Sequence, residues 1–308
     1  YGDANPMDYH RHGTHVAGIA AALRNNYIGA NTHNGMAGIA GGSGYNDQTG
    51  SGNMGAQLLA FKIIDQNGVV GSSAAADAIV AASVTWGAHV LNNSYNFPVG
   101  TNSQTLRSAV NVAVRAGRVF VASMGNDKAS SAAHPADVDP DWVIAVGATN
   151  REGARAAYPD LGWGYNRGSN YGAGMDVVAP GTTILSTLPY HIHPSGYAGD
   201  EYGYPLSGTS QAAPHVSGLA ALLISNAQRQ GRTGVVQRLR ELAPDLDVAG
   251  REHRVVAEDS LDLVDPLGAL DQRDLSGKPR RSTEGPRERH RAGRLGALLL
   301  EHLGHPLE

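Results

Sequence analysis

The chain has 308 residues, a formal net charge of −4 and no cysteine. That length can bury one large core or two small ones. The charge gives no electrostatic case for nucleic acid or an anionic membrane, and the missing thiols exclude disulfides, a cysteine nucleophile and thiolate metal sites. No run is apolar and long enough to span a bilayer.

In chain order, the first element is a Gly-led entry into a small-residue helix. His12-Gly13-Thr14-His15-Val16-Ala17-Gly18 opens it, with the regular helix expected over His15–Leu23. Imidazole is the side chain best matched to general-base work near neutral pH, and one at a helix entry projects into the space ahead of it. Gly41–Gly55 is rich in Gly, Ser and Asn and reads as a surface loop. Apolar runs then alternate with helical patterns, the signature of a parallel α/β sheet. Strands are expected at Gln57–Ile64, Val90–Ser94, Val119–Ser123, Trp142–Ala148 and, shorter, Asp176–Val178. Helices are expected at Ser72–Trp86, Ser103–Ala116, Ser210–Ser225 and Val235–Leu242. The strand at Val119 ends in a Gly125-Asn126 turn, where an amide can donate to an oxyanion. Tyr190–Tyr204, with its Gly, Tyr and His, precedes the strand that leads into the last major helix and is expected to overhang the cleft. That helix opens Gly208-Thr209-Ser210-Gln211-Ala212-Ala213-Pro214-His215-Val216-Ser217-Gly218. A helix start leaves N–H groups unpaired and partly positive, so an oxyanion beside Ser210 would meet ready-made donors. Pro214 is placed in the first turn, where a missing N–H costs least. Beyond Leu270, Gly277–Arg294 is dense in Arg, Pro, Gly and Glu with no apolar period and reads as disordered. Leu295–Leu303 has enough Leu for a short helix.

Three runs together, His12–Gly18, Asn126 after its apolar strand and Gly208–Gly218, resemble the motifs of the subtilisin-like serine peptidases, the subtilases. Val90–Tyr95 resembles the family's substrate-cleft strand and Asp176–Gly181 its D-V-x-A-P-G stretch. The resemblance covers about residues 1–270, leaving 271–308 as a tail. It implies an α/β, doubly wound, mostly parallel sheet flanked by helices. It also implies a serine endopeptidase that hydrolyses polypeptides through an acyl-enzyme on Ser210. His12 is then the base, and Asn126 with the Ser210 N–H forms the oxyanion hole. The alternative, from another class, is a peptide-binding remnant without catalysis.

One departure from the family pattern keeps that alternative in view. The family's catalytic Asp ends an apolar interior strand about thirty residues before the His. Here the only acids ahead of His12 are Asp3 and Asp8, and Asp8 matches a cleft position rather than the triad. The expectation is a chain that begins after the catalytic Asp and lacks the first core strand. Such a chain would turn over poorly and be unstable, because two strands would lose a ladder partner.

The resemblance implies that Ser94, Tyr95, Asn96, Ser123, Met124 and Gly125 bind substrate, mainly through backbone. It also implies a pocket floor at Ala133–Ala136, with a cis peptide before Pro135. His15 and His215 are read as structural. His10, His12 and His15 cluster, but they lack the one-turn spacing and intervening Glu of a zinc peptidase, so no metal ligand is assigned. Asn25–Ala30 resembles the family's calcium loop, yet its carboxylate ligand would come from upstream. A plain turn is preferred there, with structural calcium possible in the full-length protein. No cofactor is needed for the chemistry. A monomer of bacterial origin, secreted or in the cell envelope, is expected.

Overall fold

The computed structural model describes residues 7–23, 36–42, 55–64, 70–139, 141–189, 202–232 and 296–301. Its centre is a parallel sheet. The strands are β1 (Gln57–Phe61), β2 (Val90–Ser94), β3 (Val119–Ser123), β4 (Val143–Thr149), β5 (Val177–Pro180) and β8 (Gly296–Glu301). They run in the order β1-β8-β2-β3-β4-β5. A separate antiparallel pair joins β6 (Ile184–Thr187) to β7 (Tyr202–Leu206). The helices are α1 (His12–Ala21), α2 (Ser72–Val80), α3 (Gln104–Arg115) and α4 (Thr209–Arg229), and α2 runs on into one π turn at Ala81–Thr85.

Side-chain alternation along the strands sorts the layers. On β3, Phe120 and Ala122 join a core with Ala75, Ile79, Leu106 and Val110 of α2 and α3. Val119 and Val121 join the opposite core with Ala213, Ala220 and Ile224 of α4. Successive strand residues face opposite sides. A sheet covered on both faces therefore needs apolar residues throughout, and β2, β3 and β4 are buried at every position. The fold is the expected α/β sandwich.

Four expectations change. Pro214 lies beyond the first turn of α4, which begins at Thr209. Tyr202–Tyr204, expected to belong to the segment overhanging the cleft, lie in β7 and pair with β6. Within the expected tail, Gly296–Glu301 is a strand rather than part of a helix. A short apolar run such as Ala297–Leu300 fits a buried parallel strand as well as a helix, and periodicity alone does not separate them. Finally, the interior of the sheet is not short of a partner between β1 and β2. There β8 pairs with both, Leu298 lying opposite Leu59 and Leu91. Asn25–Ala30, Val235–Leu242 and most of Gly41–Gly55 lie outside the described residues.

The sheet's end near β5 carries a titratable group of note. Asp176 Oδ2 accepts the Ala145 N–H at 2.7 Å. Burial raises its carboxyl from 3.8 to about 6, with that hydrogen bond pulling the other way. A carboxyl raised on folding binds its proton more tightly in the folded state, so stability rises as pH falls through about 6 toward 4. Asp176→Asn keeps an acceptor for Ala145 and removes the buried charge. The variant should melt a few degrees above the parent at pH 8, and the gap should close near pH 4. A gap that is independent of pH in thermal melts would refute this assignment.

Candidate active site

Ser210, Asn126 and Ser94 converge where β2 and β3 end and α4 begins. In open parallel sheets this carboxyl end of the strands is where sites form. Ser210 is the second residue of α4 and buried. A proline lacks the N–H that would bond the carbonyl four residues back, so Pro214 frees the Ser210 carbonyl. Ser94 fills the vacancy, its hydroxyl donating to Ser210 O at 2.9 Å. In return the Ser210 hydroxyl donates to Ser94 O at 3.1 Å. The network runs deeper: Ser217 donates to Asn92 Oδ1 at 2.8 Å, and Asn92 Nδ2 donates to Ser94 Oγ at 2.8 Å. All four residues are buried, and these paired groups fix the α4 entry against β2.

Asn126 holds the other side of that entry. Its Oδ1 accepts the Thr209 N–H at 2.9 Å and the Thr209 hydroxyl also lies 2.9 Å away. A backbone N–H can only donate, so the amide oxygen must face Thr209. The amide nitrogen is then the group left to donate elsewhere. Beside it, Gly125 sits at φ +104, and a Cβ there would lie 2.4 Å from Asn170 Nδ2. The buried Asn170 stitches this turn: its Oδ1 accepts from Asp127 N at 2.9 Å and Ala129 N at 3.0 Å, and its Nδ2 donates to Met124 O at 3.0 Å. Asn170 was not among the residues singled out from sequence. It lies outside every recognised motif, and its role shows only when the two loops meet.

His12 is the first residue of α1 and half-buried. The helix entry is built by Asp8. Its Oδ2 accepts from Thr14 N at 2.9 Å and Thr14 Oγ1 at 2.7 Å, and its Oδ1 from His10 N at 2.8 Å. Burial lowers the His10 pKa, with Asp8 opposing. His15 is buried and its Nε2–H donates to Ile184 O at 2.9 Å, fastening α1 to β6. His215 Nδ1–H donates to Gln211 O at 2.9 Å within α4, and burial lowers its pKa. Both therefore have structural work. α1 and α4 pack together. A Cβ on Gly218 would lie 2.9 Å from the Ala20 carbonyl, so the helices touch eight residues beyond Ser210 and eight beyond His12. The Ser210 hydroxyl is directed to the Ser94 carbonyl here.

The substrate-binding candidates divide by depth. Tyr95 and Met124 are fully buried in the α2/α3-side core, and burial raises the Tyr95 hydroxyl pKa. Their side chains are core, leaving only backbone for a peptide. Asn96 Nδ2 donates to Ser123 O at 2.6 Å, and the Ser123 hydroxyl donates to Asn96 Oδ1 at 3.1 Å, clasping the ends of β2 and β3. The His134–Pro135 peptide is cis, and Phe97 N donates to His134 O at 2.7 Å. Among the described residues no group of three or more His, Asp or Glu could hold a metal.

Comparison with known proteins settles the family. The Peptidase S8 profile, the subtilase family, matches residues 1–254. The chain is a subtilase. This subtilase is 40% identical over 233 residues to a thermophilic serine proteinase from Bacillus sp. (strain AK1), spanning 76% of this chain but 46% of that relative. It is 35% identical over 251 residues to subtilisin BL from Lederbergia lenta, covering 80% of this chain and 74% of that one. Among solved structures, a mutant of the protease domain of PatA superposes with a TM-score of 0.59 at 25% identity, covering 86% of this chain and 85% of that one. A protease from Pseudoalteromonas arctica gives 0.51 at 32% identity, covering 74% and 62%.

Proposed function

We propose that this subtilase is a serine endopeptidase with Ser210 as nucleophile, His12 as general base and Asn126 as oxyanion donor. The observation that carries the reading is the α4 entry. Ser210 is held there by Ser94, with the Asn126 amide oriented through Thr209 and the free N–H groups of a helix start alongside.

The reaction follows from those groups. A polypeptide lies extended along the backbone at Ser94–Asn96 and Ser123–Gly125, by strand addition. The Ser210 proton leaves Ser94 O and passes to His12 as Oγ bonds the scissile carbonyl carbon. The carbonyl electron pair moves onto oxygen, where Asn126 Nδ2–H and the Ser210 N–H receive it. Collapse breaks the C–N bond, and the amine leaves with the proton from His12. Water then repeats the sequence and releases the acid. This chemistry calls on no cofactor. Structural calcium belongs to the proposal only through Asn25–Ala30. We further propose that the protein is exported and works as a monomer. Its matched relatives are bacterial, and among the described residues no helix is long and apolar enough to cross a membrane.

The test is covalent labelling. A fluorophosphonate should add once per chain, on a peptide containing Ser210, and casein or a peptide library should be cleaved internally. A chain that binds extended peptides but neither labels nor cleaves would establish the peptide-binding alternative instead.

A further inference from the structure

The face of β2 that meets α4 carries a side chain its surroundings do not call for. Alternate strand residues share a face, so Val90, Asn92 and Ser94 all turn toward α4. Val90 packs there in an apolar core with Ala213, Ala220, Ala221 and Ile224. Asn92 and Ser217 are buried in the same interface, each 1% exposed. An amide buried in an apolar layer costs free energy unless its bonds are made. A leucine of similar size would fill the layer without that need. The backbone of Asn92 is already committed to the sheet opposite Val121, so the fold has no use for the amide. Its partners show what does.

Ser217 Oγ–H donates to Asn92 Oδ1 at 2.8 Å, Asn92 Nδ2–H to Ser94 Oγ at 2.8 Å, and Ser94 Oγ–H to the Ser210 carbonyl at 2.9 Å. A hydroxyl has one proton to give, so this relay has a direction. Reversed, Ser94 would donate to Asn92, and Ser217 to the Ala213 carbonyl 3.2 Å away. That carbonyl already receives the Ser217 N–H within α4. The Ser210 carbonyl has lost the equivalent donor to Pro214. Only the forward direction brings a proton to the carbonyl that lacks one, so Pro214 sets the polarity of the relay.

Resting on the peptidase reading above, we propose that Asn92 and Ser217 are positioning residues for the nucleophile. They act through Ser94 and not on substrate. The Ser210 carbonyl lies in the peptide plane that follows the Ser210 Cα, and the relay holds that plane. The backbone ahead of Ser210 is held separately, by the Thr209 N–H on Asn126 Oδ1 at 2.9 Å. With the chain pinned on both sides, the Cα–Cβ bond of Ser210 has one direction, and Oγ starts from one place. A reacting atom displaced by about 1 Å costs on the order of 10^2-fold in rate. A polar pair in an apolar layer is then a local departure from good packing that serves the site.

The test uses the full chain with Asn92→Leu, Ser217→Ala, Ser94→Ala and the pair Asn92→Leu/Ser94→Ala. Asn92→Leu should melt no lower than the parent. Leucine suits the layer, and the two hydroxyls it leaves keep acceptors on Ala213 O and Ser210 O. Its kcat should nevertheless fall about tenfold with KM unchanged, because Ser94 is no longer held in one rotamer. The rate at which a small fluorophosphonate labels Ser210 should fall by the same factor, since that probe reads the nucleophile without the extended cleft. Ser94→Ala should lose about 10^2-fold, and the pair no more than Ser94→Ala alone, as residues acting in series do. Ser217→Ala deletes one oxygen and is the variant least able to disturb the fold. It should lose activity in the same direction by a smaller factor, and it decides the matter if Asn92→Leu does not fold. Parental kcat and labelling rates in the folded variants would overturn the positioning role. So would a loss that accompanies a lower melting temperature and vanishes when the assay is cooled, or additive losses in the pair. A parent chain that fails to label at Ser210 overturns the peptidase reading itself, before any variant is compared.

Discussion

Ser210→Ala should leave a folded protein whose kcat for peptide hydrolysis is about 10^6-fold below the parent, with KM little changed. The size follows from the chemistry. Without Oγ no acyl-enzyme forms, and what remains is unassisted attack by water in a cleft that still offers oxyanion donors. The fold should tolerate the change. The lost Ser210 hydroxyl bond ends on the Ser94 carbonyl, whereas the bond that holds α4, from the Ser94 hydroxyl to the Ser210 carbonyl, is a backbone contact at residue 210 and survives. His12→Ala should cost nearly as much, and the double variant little more than either alone, because the two residues act as a unit. Steady-state kinetics on the three variants decide it. Residual activity within a hundredfold of the parent in Ser210→Ala would place the nucleophile elsewhere.

The parts of this site that could be read from sequence are those where local chemistry and position coincide. Ser210 and His12 head Gly-led, small-residue helices, and Asn126 ends a five-residue apolar strand. In each case the neighbours in sequence also build the site. β2, β3 and β4 were legible for a similar reason, since burial on both faces leaves a continuous apolar run. What escaped depends on distant segments meeting. Ser94 was expected to meet substrate through its backbone; what could not be read is that its hydroxyl serves the Ser210 carbonyl, 116 residues later, which Pro214 leaves open. Asn170 reads as one more polar loop residue until its amide is seen spanning 46 residues to Met124. β8 escaped for both reasons together: its run of leucines suits helix or strand alike, and its partners, at 57–61 and 90–94, are the most remote in sequence among the described strand pairs.

Asn126→Asp should separate catalysis from stability at the oxyanion site. The carboxylate keeps the acceptor that Asn126 Oδ1 now offers to Thr209 N and Oγ1, so the α4 entry should hold and the melting temperature should stay near that of the parent. The donor is what disappears. Loss of one oxyanion donor costs roughly 10^2–10^3 in kcat. A carboxylate does further harm, because its negative charge would face the one developing on the substrate oxygen in a partly desolvated cleft. The expected loss therefore exceeds 10^3-fold, an estimate built on that donor term. Asn126→Ala makes the complementary change. It loses the donor without adding charge, so its kcat should fall by about 10^2–10^3. It also leaves Thr209 N without its acceptor, and a buried N–H stripped of its partner costs about 1–3 kcal/mol. The two variants should thus rank in opposite orders, Asp above Ala in melting temperature and Ala above Asp in kcat. Identical ranking in both measurements would mean that Asn126 only braces the helix entry, and the oxyanion would have to be held by α4 alone.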